Sequence, residues 1–139
     1  MHIKKLLVPL DGSKNSLRGL DEAIYLARQC HATITGLYVV PLSKPQTNSQ
    51  ISYIEKYLLQ NASKFMSKAK KRSAQNGINF FDKIAYGDEG STIINYANKK
   101  KFDIIVIGSR GQSGLKEIFL GSVANSIVHK AKIPVLVIK

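Results

Sequence analysis

The sequence predicts an α/β protein: an open, parallel, five-stranded sheet with helices on both faces. Three observations carry that expectation. Five short apolar runs, none longer than a strand, recur along the 139 residues. Between them lie segments whose apolar residues repeat at three- and four-residue steps. Ser, Asp, Asn, Gly or Pro stands where most of those helical segments would start or stop. Strand and helix therefore alternate, and right-handed crossovers between parallel strands place helices over both faces of the sheet.

Ile3 to Leu10 is broken only by Lys4 and Lys5 and leads into the turn cluster Pro9, Leu10, Asp11, Gly12 and Ser13, so it reads as the first strand. Leu17, Leu20, Ala23, Ile24 and Ala27 mark one face of a helix running to about Cys30, with Ser13 or Ser16 as its N-cap. Ala32 to Val40 returns to strand character and completes a βαβ unit. Pro41 and Pro45 open a polar connection through Asn48. Ile54, Leu58, Ala62, Phe65 and Ala69 then define a long amphipathic helix ending near Asn76 and Gly77. Its Tyr53, Tyr57, Phe65 and Met66 are assigned to core packing in preference to a partner surface.

Ile78 to Ala85 alternates imperfectly and is expected toward a sheet edge. The turn Gly87 to Ser91 caps a helix carrying Ile93, Ile94 and Ala97, which closes in Lys99, Lys100 and Lys101. Ile104 to Ile107 is a continuous apolar run, expected to be buried on both faces. A last helix runs from Ser122 to about Lys132, Pro134 stops it, and Val135 to Ile138 forms the final strand.

Between Ile107 and that last helix lie Gly108, Gly111, Gly114 and Gly121, with Ser109, Ser113 and Ser122 among them. The order of strand, glycine-rich turn and helix start suits an anion: glycines admit close backbone approach, and a helix N-terminus offers unpaired N–H groups and its positive dipole end. The spacing is not the dinucleotide G-x-G-x-x-G, and no G-x-x-x-x-G-K-[ST] occurs. Expected phosphate donors are the backbone N–H groups of Gly111, Gly121, Ser122 and Val123, with Ser122 acting as both helix cap and hydroxyl donor. Any single glycine here is explained equally well as a turn position with φ > 0. Arg110 and Lys116 either add positive charge to the loop or point into water.

Gly108, two residues, Gly111, nine residues, then Gly121 and Ser122 resembles the G-2x-G-9x-G-[S/T] signature of the ATP-binding universal stress proteins, with every fixed position filled. The opening KKLLVPLDGS and the closing IPVLVIK look like that family's first and last strands, so the resemblance spans nearly the whole chain. It implies the strand order 3-2-1-4-5, which brings the loops carrying Asp11 and Gly108 together at the carboxyl ends of adjacent strands. It also implies ATP in the cleft above them. Asp11 would accept hydrogen bonds from the ribose, with a turn or N-cap role as the alternative; Gly108 would lie against the sugar, and backbone groups of Val39 would read the base beside Pro9 and Leu10. Mg²⁺ would be held by the phosphates and water. The resemblance further implies a homodimer paired through the last strand and a regulatory or protective role in stress response.

Residues 1–139 are expected to form a single domain, long enough to bury roughly two-thirds of the unfolded surface. No run is long enough to cross a membrane and no opening segment resembles a signal peptide, so a soluble cytoplasmic protein without a membrane partner is expected. Cys30 is alone, which excludes an intrachain disulfide, and it is read as a small buried hydrophobe. The 21 Lys and Arg against 9 Asp and Glu give a net charge of +12. Much of that excess sits at helix ends, in Lys68, Lys70, Lys71, Arg72 and Lys99 to Lys101, where cations suit the dipole. The charge is therefore read chiefly as a solvated surface, with nucleic-acid binding weak or none. A nucleic-acid-associated basic protein is kept as the alternative. His2, His31 and His129 lack metal spacing. No G-x-S-x-G elbow or Cys/His pairing occurs, and Asp11 and Glu117 are the only bases near the glycine loop, so no enzyme class is assigned and any ATP hydrolysis is expected to be slow.

Overall fold

Strand β1 (Lys5–Pro9) occupies the middle of the sheet, and its Leu6, Leu7 and Val8 are each fully buried. A strand flanked on both sides and covered on both faces has no polar side to show, which is why it reads as an apolar run. The computed structural model describes residues 2–45, 47, 51–110 and 120–139. After β1 come α1 (Lys14–Cys30), β2 (Thr33–Val40), α2 (Tyr53–Gln75), β3 (Phe80–Tyr86), α3 (Glu89–Lys99), β4 (Ile104–Gly108), α4 (Ser122–Lys130) and β5 (Val135–Ile138).

The sheet is parallel throughout in the order β3-β2-β1-β4-β5. The expected order and the edge position of β3 are thus observed. Because successive strand residues point to opposite faces, the strands feed two cores. Leu6, Val8, Ile34, Val40 and Val106 pack with Leu20, Ala23 and Ala27 of α1 and Ala62, Met66 and Ala69 of α2. Leu7, Leu37, Val39, Ile105 and Ile107 pack with Ile93, Ile94 and Ala97 of α3 and Ala124 and Ile127 of α4. Half-buried Cys30 packs against the first core. Among the described residues no helix is long and apolar enough to cross a membrane.

Three helices begin on a side-chain cap. Ser13 accepts the Ser16 N–H, Ser52 the Glu55 N–H and Asp88 the Ser91 N–H. α4 differs, since its N-cap is Gly121 and among the described residues no side chain caps it. It also ends at Lys130, two residues short of the expected Lys132. Pro134 explains the shortening: it has no N–H to donate to the Lys130 carbonyl, and its ring excludes a continuing turn.

The apolar stripe expected on α2 is corrected at its start. Ile54 is 67% exposed, whereas Glu55 is 4% exposed and its Oε2 accepts the Tyr86 hydroxyl at 3.1 Å. The inward face is Glu55, Ala62, Met66, Ala69 and Ser73. At about 100° per residue, Tyr53, Ile54 and Tyr57 fall outside it. Tyr53 and Tyr57, expected in the core, are 89% and 63% exposed, while Phe65 and Met66 pack inward.

Candidate functional site

The strand order reverses between β1 and β4, so the loops leaving their carboxyl ends diverge to opposite faces and open a cleft between them. That cleft has a volume of about 640 Å³, within the usual range for small-molecule sites. Pro9, Leu10, Asp11, Val39, Gly108, Arg110, Gly121, Ser122 and Val123 all line it. Gly111, Gly114, Ser113, Lys116 and Glu117 lie outside the described residues.

On the β1 side, the Leu10 N–H donates to the Leu37 carbonyl, and Gly12 takes φ 83° to turn the chain into α1. Asp11 Oδ1 accepts the Ser13 N–H at 2.9 Å, and Ser13 Oγ in turn accepts the Ser16 N–H at 3.1 Å. Asp11 thus has the turn role allowed for it and still presents its carboxyl to the cleft. Val39 is placed by strand parity. Leu37 directs its carbonyl at β1, and Val39, two residues on, directs its backbone groups to the same side, past the last β1–β2 pair at Pro9 and Leu37. Its side chain is buried in the α3/α4 core, so the cleft meets Val39 through its main chain.

On the β4 side, the Ser109 N–H donates to the Ile138 carbonyl at 2.7 Å, and the Ser109 carbonyl accepts the Gly121 N–H at 2.6 Å. Two expectations change here. The Gly121 N–H is already engaged by Ser109, which leaves the Ser122 and Val123 N–H groups and the Ser122 hydroxyl as the described α4 donors lining the cleft. Ser122 is not the helix cap but the first helical residue, because Gly121 has the extended cap conformation, φ −63° and ψ 159°. The positive-φ glycines among the described residues are Gly12, Gly77 and Gly87, so backbone handedness does not account for Gly108 or Gly121.

The turn from β3 into α3 adds Glu89 to the cleft wall, and α2 adds Tyr57 and Asn61 at its rim. Burial, then the nearby negative charges of Asp11 and Asp88, push the Glu89 carboxyl above the usual carboxylate range. Burial likewise raises the Tyr38 hydroxyl, with Glu89 and Asp11 adding to the effect. The cleft therefore combines carboxyl groups, Asp11 and Glu89, suited to hydroxyl or amino donors, with a helix N-terminus, suited to an anion, and Glu89 also borders a hollow shared with Ser122 and Val123. A ligand carrying both a polyol or base and a phosphate matches these groups. Among the described residues no group of three or more His, Cys, Asp and Glu is placed to hold a metal ion.

Sequence reasoning missed Glu89, Tyr38, Tyr57 and Asn15. A usable signal existed for Glu89, because every βα turn of a parallel sheet emerges at the edge where ligands bind. Asn15 carried none, since its role depends on contacts with Arg110 and Ile138, far away in sequence.

The family model for the universal stress protein family matches residues 2–139. The chain belongs to the universal stress protein family. It is 35% identical over 140 residues to Universal stress protein MJ0531 of Methanocaldococcus jannaschii, covering 98% of this chain and 82% of the relative. It is 33% identical to Universal stress protein YxiE of Bacillus subtilis, covering 97% and 98%. The solved universal stress protein UspA from Lactobacillus plantarum superposes with a TM-score of 0.85 at 28% identity, covering 100% of this chain and 99% of that one. Two other structures share the fold and were solved with nucleotides. One is from Archaeoglobus fulgidus in complex with dAMP, with a TM-score of 0.76, 21% identity and 100% of each chain covered. The other is from Arabidopsis thaliana with AMP bound, with a TM-score of 0.73, 18% identity and 98% and 91% covered.

Proposed function

We propose that the cleft between β1 and β4 binds an adenine nucleotide, ATP in the first instance, and that this single-domain chain is a nucleotide-responsive regulatory or protective module of the stress response. The observation that carries the reading is the α4 N-terminus, whose Gly121 cap makes no side-chain hydrogen bond and which lines the same cleft as Asp11 at the strand-order reversal. The dAMP and AMP complexes of the structural neighbours support an adenine nucleotide. The complete Gly108, Gly111, Gly121, Ser122 spacing supports ATP.

In this reading Asp11 accepts from ribose hydroxyls, the Val39 main chain meets the base edge, and Ser122 and Val123 donate to phosphate oxygens. Arg110 stands at the entry of the loop. Mg²⁺ is carried by the phosphates and water, because it favours oxygen ligands and keeps several waters. The reading includes a cytoplasmic homodimer paired through β5, weak or no nucleic-acid binding, and at most slow hydrolysis.

The test is to denature the purified protein and identify the released small molecule by chromatography, then titrate the emptied, refolded protein with ATP, ADP and AMP by calorimetry. An adenine nucleotide released or bound at micromolar affinity or better supports the reading. No binding of any of the three sinks it.

A further inference from the structure

We propose that Asn15 is a positioning residue for the glycine loop, fixing the point at which that loop leaves β4 and thereby setting affinity for the phosphate end of the ligand. The proposal rests on the nucleotide reading above for its ligand, but not for its geometry. Asn15 lies in the first turn of α1 and is 6% exposed. Its Oδ1 accepts the Arg110 N–H at 2.6 Å, and its Nδ2 donates to the Ile138 carbonyl at 3.3 Å. Both partners are backbone groups of fixed polarity, so they determine which way the amide faces.

These bonds do not end at Asn15. The Ile138 carbonyl also accepts the Ser109 N–H, and the Ser109 carbonyl accepts the Gly121 N–H. A continuous series therefore runs from Arg110 through Asn15, Ile138 and Ser109 to Gly121, tying the two ends of the loop to each other and to the edge strand β5. One planar amide supplies the donor and the acceptor that hold Arg110 to Ile138. Without it, the Arg110 N–H loses its acceptor in a part-buried setting, and the cheapest remedy is for the loop entry to swing toward water. Asp11 and Val39, the groups assigned to the adenosine end, are not members of this series, which meets the sugar side only through Gly108 packed on Asn15.

That separation distinguishes positioning from general destabilisation. In folded Asn15→Ala, ATP affinity measured by calorimetry is expected to fall by roughly tenfold or more, the worth of one hydrogen bond with a part-buried partner left unpaired. Adenosine affinity should stay within about twofold. Amide hydrogen exchange at Arg110 should accelerate by a similar factor to the ATP loss. Asn15→Asp keeps the acceptor but loses the donor and sets a carboxylate oxygen against the Ile138 carbonyl, so it should break the same series and weaken ATP as well; this variant also serves if Asn15→Ala does not fold. Equal loss of ATP and adenosine affinity, unchanged ATP affinity, or unchanged Arg110 exchange in Asn15→Ala overturns the proposal, as does unchanged ATP affinity in a folded Asn15→Asp. If the parent protein binds neither ATP nor adenosine, the nucleotide reading fails, and the exchange rates alone decide whether Asn15 positions the loop.

Discussion

Gly108 lies against Asn15: a Cβ at position 108 would sit 2.9 Å from Asn15 Cγ and 2.9 Å from the Asn15 carbonyl oxygen. Both are closer than real Cβ contacts allow, and one of the two is backbone. Gly108 is therefore demanded by the packing of α1 onto β4 before any ligand is considered. Gly19 meets the same strand end from the helix side but less tightly, since a Cβ there would lie 3.4 Å from the Gly108 nitrogen, an ordinary contact.

Gly108→Ala should accordingly destabilise the protein by about 1–3 kcal/mol, the usual cost of forcing a methyl into a packed site. Because the methyl displaces Asn15, it should also loosen the Arg110 amide. Urea unfolding monitored by circular dichroism, showing a lowered midpoint with an unchanged slope, checks the first effect, and hydrogen exchange checks the second.

Gly121→Val tests the opposite end of the loop. The backbone of Gly121, at φ −63° and ψ 159°, is open to any residue, so no conformational strain is expected. Gly121 is nonetheless buried against the cleft, and a branched side chain there would stand between a phosphate and the Ser122 and Val123 N–H groups. Losing one or two hydrogen bonds to a charged group should weaken ATP by about 10- to 100-fold or more while the fold persists. Unchanged ATP affinity in a folded variant would count against the α4 N-terminus as the phosphate site.

Glu89 gives a pH dependence whose sign is fixed by its surroundings. Burial, Asp11 and Asp88 raise its carboxyl above the ordinary value, so the folded protein holds this proton to higher pH than the unfolded chain does. Stability then falls as pH rises from the unfolded value through the raised folded one. Glu89→Gln removes the titration, so the variant should lose that decline and be at least as stable as the parent above the window. Urea midpoints of both proteins on each side of the window decide it; a parallel decline in the variant would refute the assignment.

How far the sequence led follows from which physics each feature uses. The five strands, the four helices and the cleft residues Gly108, Gly121 and Ser122 rest on local periodicity, turn chemistry and loop spacing, all of which lie along the chain, while Asp11 came to the cleft through the family resemblance and the strand order it implies. Asn15 acts through partners distant in sequence, so nothing adjacent marks it, whereas the one mark on Glu89 was its place in a βα turn. Tyr57 was misplaced for a different reason. Ile54, Leu58 and Phe65 suggest one helical stripe, but the inward face is rotated by the burial of Glu55 under the Tyr86 hydroxyl, a polar pairing that apolar counting cannot register.

The edge strand β5 makes a prediction about assembly. β4 pairs with one side of it and, among the described residues, its other side faces no strand, while Leu136 is 39% exposed and Val135, Val137 and Ile138 are half-buried. Unpaired, partly apolar edges tend to recruit a copy of themselves. Light scattering at micromolar concentration should return twice the chain mass, and a charge introduced by Leu136→Lys should shift it toward the monomer.

The lysines closing α3 test whether the net charge of +12 serves the cleft or the bulk surface. α3 starts at Glu89 in the cleft wall and runs away from it for 11 residues, about 16 Å. Its far end sits where the Lys4 and Lys5 N–H groups donate to Asp103 Oδ2, at the opposite edge of the sheet. Lys99, Lys100 and Lys101 are exposed there and separated from the cleft by about twice the Debye length of roughly 8 Å at physiological salt. The phosphate donors proposed on α4, by contrast, would act at contact distance, where screening is slight. Reversing all three lysines to Glu should therefore leave ATP affinity within about twofold at physiological salt, while reducing the weak nucleic-acid binding expected near 10⁻⁴–10⁻⁶ M. ATP affinity should also fall less steeply with added salt than oligonucleotide affinity does. If the reversal abolishes ATP binding in a folded protein, or if an oligonucleotide binds the parent at nanomolar levels in physiological salt, the basic surface is the functional site and the nucleotide reading gives way.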